Sequence, residues 1–161
     1  MTYSVDINIE IWALTTALLF FKMISISIVQ GYARSKGAKF SVSEDQDLFG
    51  KFVNSNASAT DLLERANSCW RNDLENIPLF LFLAWACVSV GINTTFFAIA
   101  CGLFVVARAL HTYSFLKKTQ PLRTIAYLIA ISMSSALAAY IIGTLLRNYF
   151  LSQQGIASLL N

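Results

Sequence analysis

The sequence predicts an all-α integral membrane protein, a bundle of four transmembrane helices. Of its 161 residues, 56% are hydrophobic and only 13% are charged, about half the charged share of a soluble domain. Mean hydropathy is +0.57. Four apolar stretches, divided by polar or turn-forming residues, each approach the roughly 20 residues a helix needs to cross hydrocarbon. The length fits one domain.

The spans fall at about residues 11–33, 71–91, 94–116 and 122–146, with a polar loop over 34–59. The first, Ile11 to Ala33, carries Lys22 near its middle, the deepest charge in the chain and one to which the sequence assigns no partner. No basic stretch precedes it, so no cleavable signal peptide is expected and the helix serves as its own insertion signal. The loop holds Glu44, Asp45, Asp47, Lys51 and the Asn54-Ser55-Asn56 run. After it, Thr60 is placed to cap a helix beginning Asp61-Leu62-Leu63-Glu64-Arg65, which projects beyond the bilayer and continues into the second span. Pro78 falls inside that helix, where it frees the Leu74 carbonyl and predicts a kink beside the polar residues Arg71 to Asn76.

Gly91-Ile92-Asn93 is a turn signal inside an uncharged stretch too long for one crossing, so spans two and three form a tight helical hairpin. Lys117, Lys118, Thr119, Gln120 and Pro121 mark the next break, with the proline near the first turn of the last helix. Ser135, Ala139 and Gly143 recur at intervals of four in that helix and make a narrow face for close approach, within the protomer or to other copies. Arg34, Lys36, Lys39, Lys51, Arg65, Arg71, Lys117, Lys118 and Arg123 fall on one side and Arg147 on the other, which puts both termini outside or in a lumen. An endoplasmic-reticulum membrane and a bacterial inner membrane fit this topology equally. The Asn56-Ala57-Ser58 sequon then faces the cytosol, unused.

The formal net charge of +3 is small, and the basic residues do not alternate with aromatics, which argues against nucleic acid as a partner. Cys69, Cys87 and Cys101 lack metal-ligand spacing and read as packing residues, with Cys69 set apart by its place beside Trp70 and Arg71. His111 is the sole histidine, so no metal is expected.

Ionisable groups inside a membrane cost several kcal/mol unless satisfied. Arg71, Asn72, Asp73 and Glu75 open the second span; Arg108, His111 and Thr112 lie in the third; Arg123 and Thr124 open the fourth. Arg71 and Glu75 share a helix face, as do Arg108, His111 and Thr112. Alternating topology puts them all in the half of the bilayer nearest the basic loops, so they are expected to converge on one polar cavity. Arginines in excess over acids suit an anion, held by forked contacts. Such a ligand enters from the cytosol, while an apolar substrate arrives sideways through lipid. The bland readings are an intrahelical Arg71–Glu75 ion pair and a snorkelling Arg123; Arg108, about two turns inside its span, resists the latter.

Glu64-Arg65, Arg71-Asn72-Asp73-Leu74-Glu75-Asn76-Ile77, Arg108-Ala109-Leu110-His111-Thr112, Pro121-Leu122-Arg123-Thr124 and Tyr127, with Lys22-Met23 and Glu44-Asp45, resemble the MAPEG family of membrane proteins in eicosanoid and glutathione metabolism. The likeness is strongest to its branch of microsomal glutathione transferases and prostaglandin E synthases. It implies a homotrimer of four-helix bundles with glutathione between subunits near the cytosolic side. By position, Arg34, Arg71, Asn72, Glu75, Arg108, His111, Thr112 and Tyr127 would hold the peptide, and Arg123 with Thr124 would face its sulfur and favour the thiolate.

The implied activity is a glutathione transferase acting on lipophilic electrophiles or lipid hydroperoxides. The alternatives are a prostaglandin-E-synthase-type isomerase and a non-catalytic lipid-binding protein of the same family. A small channel, for which Lys22 is the best support, stands outside the resemblance. Ser68, Trp70 and Phe115 depart from the family pattern, where an arginine, a histidine and a tyrosine are usual.

Overall fold

The computed structural model describes residues 6–38 and 56–159, with side chains to 154. Lys39, Glu44, Asp45, Asp47 and Lys51 lie outside the described residues. Four helices follow in order: α1 (Ile7–Ser35), α2 (Ala57–Ser89), α3 (Thr94–Leu116) and α4 (Leu122–Leu159). α1, α3 and α4 are long and apolar enough to cross a membrane. α2 has 33 residues, about 50 Å at the helical rise. It is longer than a hydrocarbon core of roughly 30 Å, but unlike the other three it is not apolar enough by composition to count among the candidate spans.

α2 and α3 form the central pair. α1 packs on both from one side and α4 from the other, and among the described residues α1 and α4 do not meet. Of the charged residues of α2, Asp73 alone is buried by the flanking helices, while Glu64, Arg71 and Glu75 stay exposed. The core joins Leu19, Ile77, Phe80, Ala84, Phe97, Phe104 and Leu137, and the rings of Phe80 and Phe104 stack with centroids 3.6 Å apart.

Local chemistry sets the ends. Asn56, not Thr60, caps α2: its Oδ1 accepts from the backbone N–H of Ser58 at 2.9 Å and of Ala59 at 3.3 Å. The cap lies one turn before the expected start because Asn56 adopts the extended backbone a cap requires. The sequon asparagine is therefore structural. Gly91 (φ +78°) makes the left-handed turn of the predicted hairpin, and Asn93 caps α3 through the Phe96 N–H at 3.1 Å. Asn8 donates to the Ile92 carbonyl at 3.2 Å and Tyr140 to the Gly91 carbonyl at 3.2 Å, pinning α1 and α4 to that turn. α2 runs unbroken through Pro78, while Asn76 donates to the Asn72 carbonyl at 2.7 Å. All three cysteines are buried and free, as packing residues would be.

At the other end, Lys118 occupies the left-handed region (φ 62°) in the α3–α4 turn. Its ammonium pairs with Asp61 at 2.9 Å, and Asp61 also accepts from Arg65 Nε at 3.1 Å. Arg65 reaches on to the Phe115 carbonyl at 3.4 Å. Three charges from α2 and the turn thus tie the start of α2 to the end of α3 and the turn that follows it. Hydrogen bonds from Lys118 first, and Arg65 next, hold the Asp61 carboxyl below its ordinary value of 3.8.

Candidate functional site

The buried centre of the site is a charge cluster between α1, α2 and α3. Asp73 and Arg108 are both fully buried. Oδ1 of Asp73 accepts from Arg108 Nε at 3.2 Å and Nη2 at 2.5 Å. Its other oxygen, Oδ2, accepts from the ammonium of Lys22. Asn72 Oδ1 takes a further bond from Arg108 Nη2 at 2.6 Å. Lys22, the charge without a visible partner in the sequence, therefore answers to Asp73.

One edge of Arg108 is thus already committed to an acid. Two cations share one carboxylate, leaving one net positive charge in the cluster. A buried ion pair of this kind is held by geometry and multiple hydrogen bonds, since desolvation consumes most of its Coulomb attraction.

What remains uncommitted points to a ligand. Arg108 Nη1, His111 Nδ1 and Thr112 Oγ1 are buried without a hydrogen-bond partner, three of the four such side-chain atoms among the described residues. They lie at i, i+3 and i+4 on α3, one face of one helix. An unmatched buried polar atom costs about 1–3 kcal/mol, so three together are costly unless something pairs with them. A carboxylate would suit the guanidinium, and an amide could meet the hydroxyl and imidazole.

His111 leads toward α4. Its ring centroid lies 6.0 Å from Phe115 and 6.5 Å from Tyr127. Arg123 is half-buried, its guanidinium 4.7 Å above the Phe115 ring, so it stacks on an aromatic and does not simply snorkel to the headgroups. Thr124 is exposed beside it. The amide of Gln120 lies between these two. In the orientation that satisfies both, its oxygen accepts from Arg123 Nη2 at 2.6 Å and its nitrogen donates to Thr124 Oγ1 at 3.2 Å. Nothing in the sequence singled out Gln120, whose role depends on the fold of the turn.

Other expected site residues do not converge within the protomer. Arg71 and Glu75 are exposed on α2, and among the described residues no ion pair joins them. The reason is angular: at 100° per residue, Asp73 points about 200° away from both. Arg34, in the last turn of α1, is half-buried. One protomer thus presents two polar faces, an inner one around Arg108 and an outer one bearing Arg71 and Glu75.

An apolar groove of about 560 Å³ runs between α1 and α2, walled by Trp12, Leu19, Met23, Pro78, Phe82 and Trp85. Met23 adjoins Lys22 and Ile77 follows Asp73 by one turn, so its inner end approaches the charge cluster.

Fold and site together define a multi-pass integral membrane protein with a buried, cation-rich polar centre. Residues 12–143 match the MAPEG family, and the chain belongs to it. It is similar to prostaglandin E synthases: 29% identical to that of Bos taurus over 130 residues (80% of this chain, 84% of the relative). It is 31% identical to those of Homo sapiens and Mus musculus, each over 120 residues (73% of this chain, 76% of the relative). The kinship supports a glutathione-dependent class of membrane enzyme.

Proposed function

We propose that the protein is a membrane-bound glutathione transferase that conjugates glutathione to lipophilic electrophiles, with lipid hydroperoxides as a second class of acceptor. The observation that carries this reading is the row of unmatched buried atoms, Arg108 Nη1, His111 Nδ1 and Thr112 Oγ1, beside the half-buried Arg123. Glutathione supplies the sulfur nucleophile.

Arg123 holds a positive charge where sulfur becomes thiolate, lowering the cost of deprotonation. Its stacking on Phe115 and its contact with Gln120 hold the guanidinium in place, and Thr124 offers a hydroxyl to the same sulfur. Arg34, Arg71 and Arg108 take the carboxylates and Glu75 the amine, while Asn72, His111, Thr112 and Tyr127 hold the peptide between them. Because Arg71 and Glu75 lie on the outer face of α2, the complete site needs a second subunit against that face. A homotrimer with glutathione between subunits satisfies this need, and the exposed small-residue face of Ser135, Ala139 and Gly143 permits close approach. The acceptor reaches the site from lipid, by way of apolar surface such as the α1–α2 groove.

A second reading, a glutathione-dependent isomerase of the prostaglandin-E-synthase type, is favoured by the relatives' activity. Ser68, Trp70 and Phe115 weigh against it as departures from that pattern.

Two measurements test the reading in detergent-purified protein. Equilibrium dialysis should show glutathione binding; none would leave the lipid-binding alternative. Arg123→Ala should lower conjugation of an aryl halide by about a hundred-fold, the usual loss for one group stabilising a developing anion, with oligomeric state intact. Unchanged turnover would remove Arg123 from the mechanism.

A further inference from the structure

Lys22 and Asp73 have no assigned part in ligand binding, yet they surround the arginine at its centre. Asp73 divides its oxygens: Oδ1 serves Arg108 and Oδ2 serves Lys22. Nε of Arg108 is bonded to Asp73, and Nη2 to both Asp73 and Asn72. Only Nη1 stays unmatched, on the α3 face that also presents His111 Nδ1 and Thr112 Oγ1.

The charge count raises a question that packing does not answer. Arg108 and Asp73 would make a complete, neutral pair. Adding Lys22 from α1 restores a positive charge inside the membrane, which costs several kcal/mol unless an anion comes to meet it. A purely structural network would leave neither the extra charge nor the unmatched Nη1.

We infer that Lys22 and Asp73 are positioning residues for an anionic peptide ligand: Asp73 orients Arg108 so that Nη1 alone is offered, and Lys22 restores the positive charge that Asp73 cancels. The inference rests on the reading that glutathione binds at this face. It assigns α1 a part in ligand affinity through a residue that does not touch the ligand.

The test measures equilibrium binding of glutathione and steady-state conjugation in detergent, with thermal melting to follow the fold, for the full chain and three variants. Lys22→Met should weaken binding about ten-fold, the effect of one unit charge removed several ångströms away at intermediate dielectric. KM for glutathione should rise to match while kcat is kept, because Arg123 is untouched. Lys22→Arg, which keeps the charge, should bind within about two-fold of the wild type. Lys22→Met/Asp73→Asn returns the cluster to one net positive charge and leaves an amide oxygen for Arg108, so it should recover most of the affinity.

Lys22→Met binding as well as wild type overturns the inference. So does a loss that neither Lys22→Arg nor the double variant recovers. Should Lys22→Met fail to fold, the other two variants decide: both must bind glutathione nearly as wild type does. Failure of the functional reading shows instead in the wild-type arm, as absence of glutathione binding.

Discussion

Replacing Asp73 by alanine removes the one carboxylate that two buried cations share. Asp73 is fully buried and accepts from Arg108 through two nitrogens and from Lys22 through a third. Lys22 retains only 10% side-chain exposure and Arg108 none, so neither cation can turn to water when its partner is lost. Breaking a buried pair by removing one member costs about 3–5 kcal/mol, a large part of a typical stability of roughly 5–15 kcal/mol. For a chain of this length, each kcal/mol corresponds to about 2–4 °C, so Asp73→Ala should melt roughly 6–20 °C below wild type. The assay is thermal unfolding in detergent, followed by tryptophan fluorescence and by light scattering. Lys22→Met in the Asp73→Ala background removes one of the stranded charges, and the pair should cost at least about 1 kcal/mol less than the sum of the single changes. A melting point within about 2 °C of wild type, or strict additivity, would refute the claim that one carboxylate carries both cations.

Phe115→Leu removes the ring beneath Arg123; a cation–π contact at a partly exposed site is worth about 0.5–1 kcal/mol. Turnover should fall about two- to five-fold with glutathione affinity unchanged; an unaltered kcat would mean that the stack does not hold Arg123 for chemistry. The Asp61 bridge gives a pH dependence with a definite sign. Its carboxyl is held below 3.8, so its contribution is fully present above that value and is lost only as pH falls through the lower folded value. Hydrogen exchange in segment 114–123, corrected for intrinsic rates, should therefore be flat from neutral pH to about 5 and faster throughout in Asp61→Asn. Protection that fades between pH 7 and 5 would show that another group controls the turn.

Much of the site's membership is visible in residue types and spacing, because the bilayer makes every buried charge conspicuous. Arg108, His111 and Thr112 share a face by helical arithmetic alone, and they do present their unmatched atoms together. The same arithmetic separates Asp73 from Arg71 and Glu75 by about half a turn, so the three could not all face one cavity of one protomer, and only packing shows that Asp73 is the inward member. Gln120 left no such signal: its contacts with Arg123 and Thr124 depend on the turn's backbone. The choice of Asn56 over Thr60 as the α2 cap was equally unmarked, since either side chain can serve and only the backbone conformation decides.

The sequence by itself determined the solvent, the apolar lengths and the Gly91 hairpin. These follow from composition and local periodicity, which act over one or two helical turns. The tertiary structure alone decided that α2 and α3 form the centre, that Lys22 pairs with Asp73 across 51 positions, and that Asp73 pairs with Arg108 across 35. A helix's period says which of its residues share a face; which neighbour that face meets is settled only when the helices pack. In this chain that packing decides which cations share Asp73 and which buried atoms are left unmatched.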